Sequence, residues 1–376
     1  RQTDRQTDRQ TDRQTDRRYL PQFQGLRAIA FSAIFISHLG FGNLGALGAW
    51  GVSIFFVLSG FLMVNSYWFK EKQPAFGIAF AYQKINRLYP LHIATMICAA
   101  ILQGYYVLKG AGTYSKLIID AILHTALIQI WIPSGQYYST LNGVSWYLCA
   151  CAFAYFCFPV ILRLLRKAKD RRAVQGGLAC LIIMEVLIAV LAFFVGNAER
   201  NAFLSTQWIT YYFPISRLVD FSIGCCLGYL YIHRKESGNK RQLFCLFESI
   251  VCVMIVLSWC VYANKTFPWG SESIRYSLLF IGTTSALIWL IAVNKGVIST
   301  ILSNRLLCWI GNISPYAFLI HFVVIKYLRM LLGKLHMINW FTMLVLAASL
   351  TVCATMVWMK IESAYIKQRK KIQEVV

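Results

Sequence analysis

The chain has 376 residues, of which 58% are hydrophobic and 14% charged, with a formal net charge of +22 and a mean hydropathy of +0.55. Soluble domains are nearer a quarter charged, so this composition excludes a soluble globular enzyme and points to a polytopic membrane protein. The excess Lys and Arg lie between apolar stretches, which is a topology pattern and not a nucleic-acid surface; no nucleic-acid partner is expected.

Residues 1–16 are four copies of RQTD, and with 17–18 they form a low-complexity segment to which no fold is assigned. A tandem GACA tetranucleotide, read in triplets, encodes this peptide period. Gain or loss of one unit would shift the frame and switch expression off, a behaviour suited to enzymes that decorate the cell surface. Mixed synonymous codons across the tract would refute this. The first methionine is Met63, so a start upstream of Arg1 is expected.

Ten apolar spans follow: Gln24–Phe41, Gly45–Tyr67, Leu88–Leu108, Val144–Leu165, Gly176–Gly196, Leu218–Ile232, Leu243–Ala263, Ser277–Val293, Ile310–Lys326 and Trp340–Met359. The expected fold is all-α and integral to the membrane, with about ten transmembrane helices. Lys116–Pro133, which carries Asp120 and His124, reads as one short amphipathic segment on the outer face. With the N-terminus inside, 27 Lys and Arg fall on the inner side and nine on the outer, and Arg27 lies within the first span. This bias places both termini in the cytoplasm. Residues 372–376 are then a cytoplasmic tail. The twelve cysteines lie almost all in spans, without zinc-ligand spacing or a disulfide framework, so no metal is expected.

Within the first span, QGLRAIAFSAIFISHLG, Arg27 and His38 are eleven residues apart. That is about three helical turns, or roughly 16 Å on one face. A cation near one surface and an imidazole deep in the layer are both costly there and mark a functional site. The second span, GAWGVSIFFVLSGFLM, offers Gly51, Ser59 and Gly60, small residues that admit a helix or a thin ligand. YQKINRLYPLH places Lys84 and Arg87 three apart at the inner surface, as a clamp for phosphates or a plain topology signal. Trp146 opens the fourth span. In the sixth, PISRLVDFSIG, Arg217 and Asp220 are three apart; this pair either braces the fold or holds a polar acceptor. In the ninth, IGNISPYAFLIHFVVI, His321 lies near the depth of His38, which suggests a shared polar cavity. His92, His124, His233 and His336 invite no chemistry.

The order Arg27–ten residues–His38, GVSIFFVLSGF, RLYP, SWYL, SRLVDFSIG and GNISPYAFLIH resembles the membrane acyltransferase-3 family over residues 19–371. The resemblance implies a ten-helix enzyme of the bacterial inner membrane. Such an enzyme moves an acyl group, usually acetyl, from cytoplasmic acyl-CoA to a hydroxyl of an envelope glycan. His38 matches the family's catalytic histidine and Arg27 its partner. Lys84 and Arg87 match a basic pair that is usually two arginines. Ser53 stands where many members carry an acidic residue, and Cys151 where one branch has glutamate. No long C-terminal extension follows, so the soluble esterase-like domain fused to some members is expected to be absent.

On this reading the donor is acetyl-CoA or another acyl-CoA. Its phosphates rest near Arg27, Lys84 and Arg87, and its thin arm passes Ser59 and Gly60 toward His38. His38 acts as general base or acyl carrier. Its orienting partner must come from another span, with His321 and Asp220 as candidates, and Trp146, Arg217, Asp220 and His321 are expected on the acceptor side. The switchable tract favours lipopolysaccharide or lipooligosaccharide as acceptor. The alternative class is a transporter or flippase of a glycan or small solute. Transporters tend to show internal repeats, and no clear repeat relates the two halves here.

Overall fold

The computed structural model of the chain describes residues 20–42, 44–71, 74–198, 204–234, 241–264, 273–274, 276 and 278–375. The RQTD tract lies outside the described residues. Among those described there is no strand, as lipid demands of a chain that must satisfy every backbone group internally.

The helices are α1 (Pro21–His38), α2 (Gly45–Tyr67), α3 (Ile78–Ile85), α4 (Tyr89–Leu108), α5 (Tyr114–Thr125), α6 (Gly135–Tyr138), α7 (Trp146–Lys167), α8 (Arg171–Ala198), α9 (Pro214–Ile232), α10 (Arg241–Asn264), α11 (Leu278–Val293), α12 (Val297–Leu302), α13 (Arg305–Lys334) and α14 (Trp340–Val375). A helix stands at each of the ten expected spans. Eight are long and apolar enough to cross a membrane. The other two are α11, which is apolar but has 16 residues, and α1, which has the length but carries Gln22, Gln24, Arg27 and His38. Proline opens α1, α4 and α9 within the first turn, where its missing N–H costs nothing. Helix α14 runs on past the expected span end at Met359 and through most of 372–376.

Burial separates a central group from a rim. The most apolar windows of α2, α9 and α13 are 78%, 72% and 61% buried, whereas those of α8, α10 and α14 are 17%, 17% and 22%. Helix α1 packs on both α2 and α13, and α2 packs on α9. The α2–α9 crossing depends on two reciprocal glycines. A Cβ at Gly60 would fall 1.9 Å from the Phe221 carbonyl oxygen, and one at Gly224 would fall 1.9 Å from that of Val57. Backbones this close exclude any side chain. Gly224→Leu is therefore expected to cost about 3 kcal/mol or more, read as a lowered Tm of the detergent-solubilised protein. An unchanged Tm would show that these helices do not meet so closely.

The stretch between α4 and α7 forms the expected amphipathic segment, bolted to the bundle by buried polar groups. His92 and His124, to which the sequence assigns no chemistry, are both fully buried. His124 Nδ1 lies 3.0 Å from Ser145 Oγ, and burial lowers its pKa to about 4, so it sits there neutral. The Asn142 amide donates to Thr95 Oγ1 and to the Leu319 carbonyl, both at 2.9 Å. The Lys326 ammonium donates to the Leu141 carbonyl at 2.7 Å. These bonds fix the segment to α4 and α13, two residues from His321.

Candidate active site

Helix α1 carries Arg27 and His38 as the sequence predicts, and His38 ends the helix. His38 Nδ1 lies 3.0 Å from Nε2 of His321 on α13. Of the two candidate partners it is therefore His321 that meets His38. The next bond assigns the protons. His321 Nδ1 is 2.7 Å from the Phe318 carbonyl, one turn back on its own helix. A carbonyl only accepts, so His321 Nδ1 carries the hydrogen. Nε2 of the neutral ring is then an acceptor, and His38 Nδ1–H donates to it. The consequence is a His38 Nε2 with a free lone pair, the form a base or nucleophile needs. At the same helix end, the Arg329 guanidinium donates to the His38 carbonyl at 3.1 Å, a favourable place for a cation.

His38 lines a cavity of about 210 Å³ with Ile34, Ser37, Val52, Trp146, Tyr211, Tyr212 and Phe318 among its walls. Trp146 lines this cavity together with His38. Its ring centroid lies 5.0 Å from those of both Tyr211 and Tyr212. The two tyrosines ride on a π-turn, Trp208–Tyr212, just before α9.

Arg217 and Asp220 do not join that wall. They are 0% and 1% exposed and pair with each other at 2.7 Å. A second guanidinium nitrogen of Arg217 donates to the Thr210 carbonyl at 2.6 Å, and Ser216 Oγ donates to that of Ile209, also at 2.6 Å. With no exposed edge, the pair holds the turn that presents Tyr211 and Tyr212, which is the bracing role of the two that the sequence leaves open.

A second cavity, of about 180 Å³, lies at the Arg27 end. Arg27, Phe55, Ser59, Lys84, Tyr147, Cys151, Tyr155, Ser314 and Phe318 are among its lining residues. Arg27 is half-buried and pairs with no carboxylate among the described residues. Two expected members are missing from this wall. Gly60 lies at the α2–α9 crossing instead. Arg87 is diverted because α3 ends at Ile85 and α4 begins at Tyr89, so Lys84 and Arg87 do not share a helical face. Its Nε donates to Tyr316 Oη at 2.8 Å, and Tyr316 donates to Glu362 at 2.6 Å. No group of metal-ligating side chains occurs among the described residues.

An all-helical membrane body with a histidine at one cavity and a lone guanidinium at another suits several chemistries. The family model described as an acyltransferase domain decides among them, because it matches residues 20–358. The chain belongs to the acyltransferase-3 family. It is 26% identical over 337 residues to acyltransferase MdmB of Streptomyces mycarofaciens, covering 84% of this chain and 81% of that protein. It is 24% identical over 332 residues to O-acetyltransferase OatA of Staphylococcus aureus, covering 83% of this chain and 51% of that protein. The chain thus spans about half the length of OatA. No solved structure matches it. The protein is a multi-pass membrane acyltransferase, and the transporter alternative falls away.

Sequence reasoning missed several residues of this acyltransferase's site. Phe318 lines both cavities, and its three-residue spacing from His321 was the available signal. Tyr211 and Tyr212, paired just before Pro214, could have been flagged as an aromatic step into a span. Glu362, which engages Arg87 through Tyr316, gives no signal at all, because it lies 275 positions away in the chain.

Proposed function

We propose that this acyltransferase moves an acetyl group from cytoplasmic acetyl-CoA to a hydroxyl of an envelope glycan, lipopolysaccharide or lipooligosaccharide, in the bacterial inner membrane. Both termini then face the cytoplasm. The Arg27 cavity receives the donor, and the His38 cavity receives the acceptor from outside. The observation that carries this reading is the His38–His321 pair, whose hydrogen-bond chain leaves His38 Nε2 as an unprotonated nitrogen beside a cavity.

The acceptor hydroxyl attacks the thioester carbonyl while His38 Nε2 takes its proton. The tetrahedral adduct then expels the CoA thiolate, which recovers that proton from His38 and leaves as the free thiol. His321 accepts from His38 Nδ1–H throughout and steadies the imidazolium formed midway. An acyl-imidazole route through the same nitrogen uses the same geometry.

At the donor end, Arg27 supplies a charge with no carboxylate partner among the described residues, and Lys84 adds a second. Arg87 sits just outside, 3.9 Å from Glu362 with its side chain 73% exposed. Exposed ion pairs of this kind contribute little, so a polyanion competes well for Arg87. Arg87→Ala is expected to raise the donor KM by about 3- to 10-fold with kcat nearly unchanged. An unchanged KM would remove Arg87 from the donor site.

The deciding experiment transfers labelled acetyl from acetyl-CoA to purified lipopolysaccharide in membranes with and without the protein. Acetylated product only where the protein is present supports the reading. Label transferred to peptidoglycan but not to lipopolysaccharide would replace the acceptor, and no transfer from acetyl-CoA to any glycan would overturn the donor.

A further inference from the structure

The two cavities are stacked along the same four helices. On α1, Arg27 faces one and Ile34, Ser37 and His38 the other. On α2, Phe55 and Ser59 face the first, and Gly48, Ala49 and Val52 the second. On α7 the division falls between Tyr147 and Trp146. Only on α13 does one side chain border both: Phe318, which is 6% exposed.

Phe318 closes a triangle of rings. Its centroid is 5.2 Å from that of Tyr147 and 6.1 Å from that of Phe55, and Tyr147 and Phe55 are 5.9 Å apart. All three separations are in the range of packed aromatic pairs. The triangle therefore borders the Arg27 cavity and reaches the His38 cavity through Phe318. Its third member also lies one turn from His321 and supplies the carbonyl that fixes the tautomer of that ring. Pro315 lies within α13, one turn before Phe318, and leaves the Gly311 carbonyl without its usual helical partner. Ser314 Oγ donates to that carbonyl at 2.8 Å instead. Helix α13 thus lacks one backbone hydrogen bond just before the shared ring.

We propose that the Phe55–Tyr147–Phe318 triangle is a septum between the donor cavity and the histidine cavity, and that Phe318 is the residue that selects acyl-chain length. This rests on the acyl-CoA reading above. A thioester arm entering beside Arg27 reaches His38 only by displacing the triangle. Each added methylene must fit where three rings now touch, so short acyl groups pass and long ones stall. Discrimination of this kind is bounded: one methylene in an apolar constriction is worth about 10- to 200-fold.

The test measures kcat/KM for acetyl-CoA and butyryl-CoA in membranes holding the unaltered protein, Phe318→Ala, Phe318→Leu and Leu148→Ala. Leu148 lines the donor cavity outside the triangle. The unaltered protein should favour acetyl. Phe318→Ala should narrow the acetyl-to-butyryl ratio about 10-fold or more, Phe318→Leu by less, and Leu148→Ala hardly at all. Equal ratios in all four, or equal narrowing in Leu148→Ala, would overturn the proposal. So would loss of all transfer in both Phe318 variants when their amounts in the membrane match the unaltered protein. If the unaltered protein transfers neither group, the acyl-CoA reading itself has failed, which is a separate result.

Discussion

Replacing His38 with alanine is expected to lower transfer about 10³-fold or more, with membrane insertion and Tm nearly unchanged. His38 is half-buried at a helix end, so the truncation opens little core. What it removes is His38 Nε2, the unprotonated nitrogen that the pair does not use as its own acceptor. The chain also predicts a graded series at the second ring. His321→Ala leaves His38 free to rotate and to adopt the wrong tautomer, and should cost about 10²-fold in kcat. His321→Gln keeps an acceptor within reach of His38 Nδ1 and should recover part of that loss. Initial rates in membrane preparations, normalised to protein amount, give both numbers. A His38→Ala protein with more than about a tenth of the original rate would show that the reacting proton goes elsewhere, because positioned acid–base groups contribute at least about 10²-fold. A His321→Ala protein at full rate would show that the pair is packing only.

Arg27→Ala is expected to act on the donor alone. Hydrogen bonds to a charged group contribute about 1.5–3 kcal/mol, equivalent to about a 10- to 100-fold rise in KM for acetyl-CoA. The upper part of that range is expected, because no carboxylate among the described residues shares this guanidinium. Arg27→Lys keeps the charge but loses the planar fork, so it should recover part of the affinity and not all of it. The KM for the acceptor glycan should stay where it was, since Arg27 lines only the donor cavity. A donor KM that does not move, or an acceptor KM that does, would place the phosphates elsewhere.

The helices were legible because lipid leaves the backbone so few options: each expected span holds a helix. The Arg27–His38 relation was legible for the same reason, since a continuous helix turns an eleven-residue spacing directly into geometry. Relations between helices were less so. His321 and Asp220 were both candidates for His38, and only the packing of α1 on α13 chose between them. Gly60 could have served a ligand or a helix; the reciprocal glycine at Gly224 settles it for the helix. Lys84 and Arg87 were expected on one helical face, and α3 stops between them. The ring triangle was invisible in the sequence. With 25 Phe and 20 Tyr in the chain, no single aromatic stands out until three are seen to touch.

A corridor running from cytosol to exterior, wet at both ends, would let protons run down their gradient each time an arm withdrew. On the septum proposal, three touching rings between the two chambers would keep the bilayer insulating while reagents dock on opposite sides. The enzyme would thus hand a small group across without discharging the membrane that houses it.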